Sequence, residues 1–395
     1  MHVYILTSYK FPLGFSSAQR ILCYAKGLQA NGVPCCVVTT SCSSPEKEGS
    51  YEGVTYRSFI RSECNNPSVF RKLIYKGWTT VRSYGYCLSK IGQGDTLILY
   101  SSDIFSLLVY RMIAYVKRFR IYLELCEYPY FQNTFANRIR RKITFSVLFP
   151  RYDGFIAISE DLYKLAESHK SRLAKVVKIP ILIDLSRNRE RETIHEVSFP
   201  YKSLRYIFYA GVISEYKDGV IGSIKAFIEA SRRLKDPVYY IFAGPESGDL
   251  HEIYRLMDAE GLRDKVIYAG TLLPEEVMVY FRHATLFISN KYDNIQNRNG
   301  FSTKLGEALL AGIPVLTTTV GEPKYYLQNN VSGYIVEPCC QEALRDKIVE
   351  AFSDEDKRLK IAKTGKEVAE KQFDCILQGK NLALYLTGKN EDIAY

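Results

Sequence analysis

The sequence predicts an α/β fold of two doubly wound, Rossmann-like domains facing a central cleft. Three observations carry this. Short, continuous apolar runs such as TLILY and YIFYAG lack the polar alternation of a sheet with one wet face. Segments of helical period lie between most of them, as in a parallel sheet covered on both sides. After a polar, charged stretch at about 185–203, SRNRERETIHEVSFPYKS in its main part, the same alternation begins again.

The elements follow in order. VYILTS opens as a strand, KFPLGFSS is a loop, and a helix runs from Ser17 to Asn31 before Gly32. CCVVTT is the second strand. Residues 41–94 carry Ser, Gly and basic residues and show one helical segment, around Val69 to Leu88. TLILY at 96–100, IYLEL at 121–125, GFIAIS at 154–159 and KVVKIP at 175–180 complete the first set of strands. In the second half YIFYAG, YYIFAG, KVIYAG, LFIS and PVLTTT are strands, with helices at 219–234 and 248–260 and from Gln341 onward. The domains are thus 1–190 and 203–373, with a last helix in 374–395 returning to the first domain.

Composition narrows the function. At roughly 150 residues per domain, 395 residues make two or three domains, and 47% apolar residues suffice for real cores. Ten cysteines without a CxxC pair point to reduced thiols in a cytoplasmic protein rather than a disulfide framework or zinc site. MHVYILTS enters a strand without a basic leader, so no secretory signal is expected. No apolar run approaches the ~20 residues of a membrane span. A net charge of +10 suits a protein that handles anions, with nucleic acid the least favoured.

In open α/β sheets, ligands sit beyond the carboxyl ends of the strands, so the loops after strands are the candidates. In YKFPLGFSS, Gly14 lets a backbone approach a ligand, and Ser16 or Ser17 is a candidate helix cap; a plain turn reads equally well. In VISEYKDG, Lys217 sits near a helix start, where N–H groups and the dipole favour an anion; a solvated surface lysine is the alternative. In NRNGFSTKLGEALLAGIPVLTTTVGEP, Gly300 permits a tight turn and Ser302 or Thr303 caps the helix that follows. The free amides of Ser302 to Leu305 would form an anion site, and Glu307 lies one turn further in. A carboxylate there can hold the two hydroxyls of a ribose, or can merely complement the helix dipole.

The run from Tyr209 to Pro338 resembles the second domain of the family 4 retaining glycosyltransferases, which have the GT-B fold. YAGVISEYKDG is similar to their Gly-Arg-Leu…Lys-Gly segment. IFAGPESGDL, KVIYAGTLLPEEV and ATLFIS follow in the family's order. NGFSTKLGEALLAGIPVLTTTVGEP resembles their Glu-Gly-Phe-Gly…Glu-Ala segment, and VSGYIVEP their Asn-Gly…Pro. In the first half AISEDL and IPILID resemble the family more diffusely.

The resemblance implies a glycosyltransferase that moves a sugar from a UDP- or GDP-sugar to a hydroxyl of a glycan or lipid-linked acceptor. It implies that Lys217 binds the donor diphosphate, Glu307 grips the ribose, and Gly14 and Gly211 lie along the donor. The amides around Phe301, Ser302 and Thr303 would receive the departing phosphate charge. Two positions depart from the pattern. The family's arginine is Val212 here, and the first of its two glutamates is Asn299, which can hydrogen-bond the sugar but carries no charge. Arg298 or Lys304 is a candidate replacement for the arginine. These departures keep open a catalytically inactive GT-B module acting as a partner subunit, and a GT-B epimerase is a third reading.

Retention by attack on the face the diphosphate leaves needs no carboxylate nucleophile, no further cofactor and no metal. Asp354-Glu355-Asp356 reads as a helix cap rather than a metal site. The isolated histidines His2, His169, His195, His251 and His283 form no constellation. On the acceptor side, Glu127 in LELCEYPY follows a strand and is the candidate for contacting a hydroxyl; a surface acid is the alternative. In and just before NRIRRKITFSVLFPR, Phe135, Ile139, Ile143 and Val147 recur every four residues beside Arg138, Arg140, Arg141 and Lys142. Such a helix either rests on an anionic inner leaflet or packs its stripe on its own sheet.

Overall fold

The computed structural model describes residues 1–42, 44, 46–60, 69–101, 103–186 and 199–388. The expected linker at about 185–203 falls mostly outside them, and so does His195. The chain divides into two compact units, Met1–Leu182 with Cys375–Tyr395, and Ile183–Asp374.

The first unit is built on an eight-stranded sheet: β1 Val3–Phe11, β2 Cys35–Cys42, β3 Glu48–Tyr51, β4 Val54–Ser58, β5 Thr96–Tyr100, β6 Arg120–Leu125, β7 Gly154–Ala157 and β8 Lys175–Lys178. Its order is β3-β4-β2-β1-β5-β6-β7-β8, parallel apart from the β3–β4 hairpin. That hairpin lies in the stretch whose sequence gave no strand signal; each of its strands is short, and β3 alternates between exposed and half-buried positions. All five residues of β5 are buried, as a two-sided sheet requires.

Helix α1, Ser16–Ala30, covers one face of this sheet and receives the last helix, Cys375–Thr387. The two cross at Gly27 and Gly379, so close that a Cβ on Gly379 would stand 2.3 Å from Gly27 Cα. Tyr385 ties the last helix to β7 and β8. Its hydroxyl accepts from the Phe155 N–H at 3.0 Å and donates to the Lys175 carbonyl at 2.6 Å.

A buried charge pair ties α1 to the far side of the first sheet. Arg20 Nε donates to Glu124 Oε1 at 2.8 Å, and its Nη2 donates to the Ile179 carbonyl at 2.8 Å. The Tyr24 hydroxyl donates to both Glu124 oxygens at 3.0 Å. Burial opposes the Arg20 charge, but Tyr24 and Glu124 outweigh it and raise the guanidinium pKa.

The second unit has six parallel strands: β9 Tyr206–Ala210, β10 Tyr239–Ala243, β11 Val266–Tyr268, β12 Leu286–Ser289, β13 Val315–Thr318 and β14 Tyr334–Val336. Their order is β11-β10-β9-β12-β13-β14. The chain winds outward from β9 in one direction and from β12 in the other. The switch point of this doubly wound sheet is therefore between β9 and β12. Asp354 accepts from the Lys357 N–H at 3.0 Å, as the cap of helix Glu355–Gln372. Among the described residues no helix is long and apolar enough to cross a membrane.

Candidate functional site

The loops after β9 and β12 flank the switch point, and both carry expected site residues. In the loop after β9 the Gly211 N–H is engaged by the Ala243 carbonyl at 3.0 Å. Val212 projects outward, 47% exposed. Ser214 caps a short helix, Glu215–Asp218, by accepting from the Lys217 N–H at 3.2 Å. The Glu215 carboxylate then folds onto the next helix, Val220–Ser231, and accepts from Ile221 at 2.6 Å and Gly222 at 3.2 Å. An internal carboxylate thus fills the positive end of that helix, where the sequence reading expected an external anion. Lys217 itself is half-buried, and its ammonium has no ion-pair partner among the described residues.

Four side-chain contacts join this loop to the one after β12. Asn290 Nδ2 donates to the Gly219 carbonyl at 3.1 Å, and Lys291 pairs with Asp218 at 2.7 Å. The Tyr292 hydroxyl donates to Glu215, and Asn294 Nδ2 donates to the Tyr216 carbonyl at 3.0 Å. Burial, and then Glu215, raises the Tyr292 pKa, so the hydroxyl keeps its proton and remains a donor. Gly219 makes the approach possible. It sits at φ 58°, and a Cβ there would stand 2.1 Å from the Asn290 carbonyl oxygen.

Asn294 next caps helix Ile295–Asn299. Asn299 is buried, and its amide donates to the Ile295 carbonyl at 2.7 Å. Gly300 has an extended backbone, φ −99° and ψ 159°, so the expected tight turn does not need glycine's left-handed freedom. Phe301 is an anchor: buried, stacked on Tyr326 at 5.4 Å and edge-on to Phe373 at 5.5 Å.

Ser302 is the N-cap residue of helix Thr303–Leu310, but its hydroxyl makes no capping bond. The N–H groups of Thr303 and Lys304 have no acceptor among the described residues. This helix start is open, in contrast to the one closed by Glu215, and can receive an anion. Glu307 lies one turn in and is half-buried. Lys304 Nζ meets its Oε2 at 2.7 Å. Neither candidate for the missing arginine is a free cation, because Arg298 makes a two-point pair with Asp293 and Lys304 is held by Glu307.

Gly14 and Glu127 belong to the first unit. A Cβ on Gly14 would stand 2.8 Å from the Lys10 carbonyl oxygen, so the glycine serves close packing of its own loop. Phe15 occupies the N-cap position of α1 and no side chain caps it, so neither Ser16 nor Ser17 has the expected capping role. Glu127 is exposed and acts electrostatically on the Tyr9 hydroxyl. Tyr9 and Tyr100, at the ends of β1 and β5, meet edge-to-face at 5.4 Å at the switch point of the first sheet.

Sequence reasoning did not find Glu215, Asn290 or Tyr292. The only local signal was the Ser-Glu start of SEYKDG, a cap followed by an acid.

Residues 190–368 match the model of the glycosyl transferases group 1. Over these residues, under half of its length, the chain is similar to a group 1 glycosyltransferase domain. Both units together have the GT-B fold. Anabaena HepE in complex with UDP and glucose superposes with a TM-score of 0.69 at 16% identity, covering 98% of this chain and all of that one. Sucrose-phosphate synthase from Thermosynechococcus elongatus superposes at 0.71 and 15% identity, covering 98% of this chain and 99% of that one. Among curated proteins, the α-monoglucosyldiacylglycerol synthase of Streptococcus pneumoniae is 25% identical over 240 residues, 57% of this chain and 53% of that protein. The sucrose synthase of Melioribacter roseus is 28% identical over 114 residues, 28% of this chain and 14% of that protein. The chain thus spans about half, or much less, of the length of the curated relatives it matches. Within the matched residues the open helix start, Lys217 and Glu307 all lie on or beside the two loops at the switch point.

Proposed function

We propose that this protein is a retaining glycosyltransferase that moves a sugar from a nucleotide-sugar donor to a hydroxyl of a glycan or lipid-linked acceptor. One observation carries the reading. Within the residues that match the group 1 model, the N-terminus of helix Thr303–Leu310 is open beside the switch point, with Glu307 one turn behind it.

The chemistry follows from charge. As the bond to the sugar breaks, negative charge develops on the diphosphate. The amides of Thr303 and Lys304 and the unpaired ammonium of Lys217 are preorganised donors for it. Glu307 accepts from the ribose hydroxyls, exchanging its present bond to Lys304 for them or sharing it. The acceptor attacks on the face the diphosphate leaves, and a phosphate oxygen takes its proton. Asn299 holds its amide on the helix backbone and contributes shape rather than charge. On the acceptor side, Glu127 and the Tyr9–Tyr100 pair line the carboxyl edge of the first sheet.

UDP is the first nucleotide to test, because UDP is bound in the HepE complex. The likeness to an α-monoglucosyldiacylglycerol synthase supports a lipid-linked acceptor, and with such an acceptor the protein would work in the cytoplasm, in peripheral contact with an anionic inner leaflet. The test is a thermal-shift panel of UDP, GDP, ADP and their sugars, followed by NMR of the product's anomeric proton. A ligand at 100 times its Kd stabilises by about 2.7 kcal/mol. No shift with any nucleotide, or an inverted anomer, refutes the proposal.

A further inference from the structure

Three helices of the first unit present an outer surface that is apolar and basic at once. In helix Ile104–Lys117, Leu107, Tyr110, Ile113 and Ala114 face inward and are buried. Phe105, Leu108, Met112, Tyr115 and Val116 recur at helical spacing on the opposite side and are exposed, Tyr115 at 75% and Val116 at 69%. A surface helix ordinarily carries polar residues there; this one is apolar on both sides.

Helix Phe135–Ile143 goes further, with no buried residue at all. Its Phe135, Ile139 and Ile143, continued by Val147, therefore face outward rather than the sheet, Phe135 at 76% exposure. Beside them, helix Val69–Lys90 exposes Ile74, Tyr75, Trp78 and Val81.

The three are neighbours. The Arg111 guanidinium donates to the Arg151 carbonyl, the Tyr152 hydroxyl donates to the Leu107 carbonyl at 2.9 Å, and the Ser83 and Tyr110 hydroxyls meet at 2.5 Å. Segments 74–90, 104–118 and 135–151 together hold eleven Lys or Arg and no Asp or Glu. The chain's whole excess of positive charge is +10, so these helices carry more than all of it.

We propose that this face docks on an anionic lipid bilayer, the apolar rows entering the boundary between headgroups and acyl chains and the cations lying at the lipid phosphates. The inference deepens the membrane contact proposed above by naming the residues that enter the lipid. Charge complementarity selects the occupant. A second copy of this chain would set eleven cations against eleven, and a nucleic acid would answer the charge but leave the apolar rows in water. An anionic bilayer satisfies both.

The test is co-sedimentation of the full chain with phosphatidylcholine vesicles, with and without phosphatidylglycerol. Two variants accompany the wild type: Met112→Ser/Tyr115→Ser/Val116→Ser, which removes apolar groups, and Arg138→Gln/Lys142→Gln, which removes charge. The wild type should bind the anionic vesicles at least about tenfold more tightly than the neutral ones, and each variant should lose about tenfold or more. Equal binding by all three proteins, or equal binding to both vesicles, overturns the proposal. So does a change in oligomeric state of the apolar variant with vesicle binding intact, which would give the face to a second copy. UDP titration without vesicles keeps the two readings apart. Vesicle binding without UDP binding defeats the donor assignment alone, and UDP binding by all three proteins without vesicle binding defeats this one alone.

Discussion

Lys304 Nζ stands 2.7 Å from Glu307 Oε2, one helical turn away and beside the open start of the same helix. The pair is partly exposed, so it contributes little to stability, and it holds the carboxylate close to the anion site.

Glu307→Gln keeps the shape and removes the charge. Hydrogen bonds to a charged group contribute about 1.5–3 kcal/mol, so affinity for the nucleoside diphosphate should fall by about that amount in a calorimetric titration. The unfolding temperature of the unliganded protein should move little, because a partly exposed i,i+3 pair contributes about 0.2–0.5 kcal/mol. Unchanged affinity rejects the ribose role.

Lys217→Ala should lower the transfer rate by about 10²–10³, the usual cost of losing one preorganised donor to developing charge. Among the described residues Lys217 has no ion-pair partner to strand, so thermal unfolding should stay near wild type. Steady-state kinetics within a few-fold of wild type remove it from the site.

Gly219→Ala places a methyl group 2.1 Å from the Asn290 carbonyl oxygen at a φ of 58°. The loops after β9 and β12 must then separate. A loss of about 1–3 kcal/mol in urea unfolding is expected, together with weaker nucleotide binding. A variant as stable as wild type would mean that the two loops are not closely joined.

Arg20→Met leaves Glu124 charged and without its cation in the interior of the first unit. The expected loss is about 3–5 kcal/mol by chemical denaturation, and Arg20→Met/Glu124→Leu should regain much of it. A double variant no better than the single one refutes the stranded-charge explanation.

The sequence by itself determined the class of fold, the two sheets and the helix that begins at Thr303. Each of these rests on local information: runs of apolar residues, helical period, and a Ser or Thr before a helix. It also marked the stripe from Phe135 to Val147, because period shows that a helix has an apolar side. Whether that side is covered is not local, and only the tertiary structure decided that none of the described residues of the first unit buries it. The β3–β4 hairpin escaped notice because strands of 4 and 5 residues are too short for their alternation to stand out as a period. Which helix start would accept an anion was likewise decided in three dimensions. Both follow a strand and a polar loop, but the left-handed turn at Gly219 brings Glu215 back onto the first, and among the described residues no side chain returns to the second. Arg20 and Glu124 are 104 residues apart in the chain. Pairing over that distance is set by how the strands are ordered in the sheet, which no window along the sequence contains.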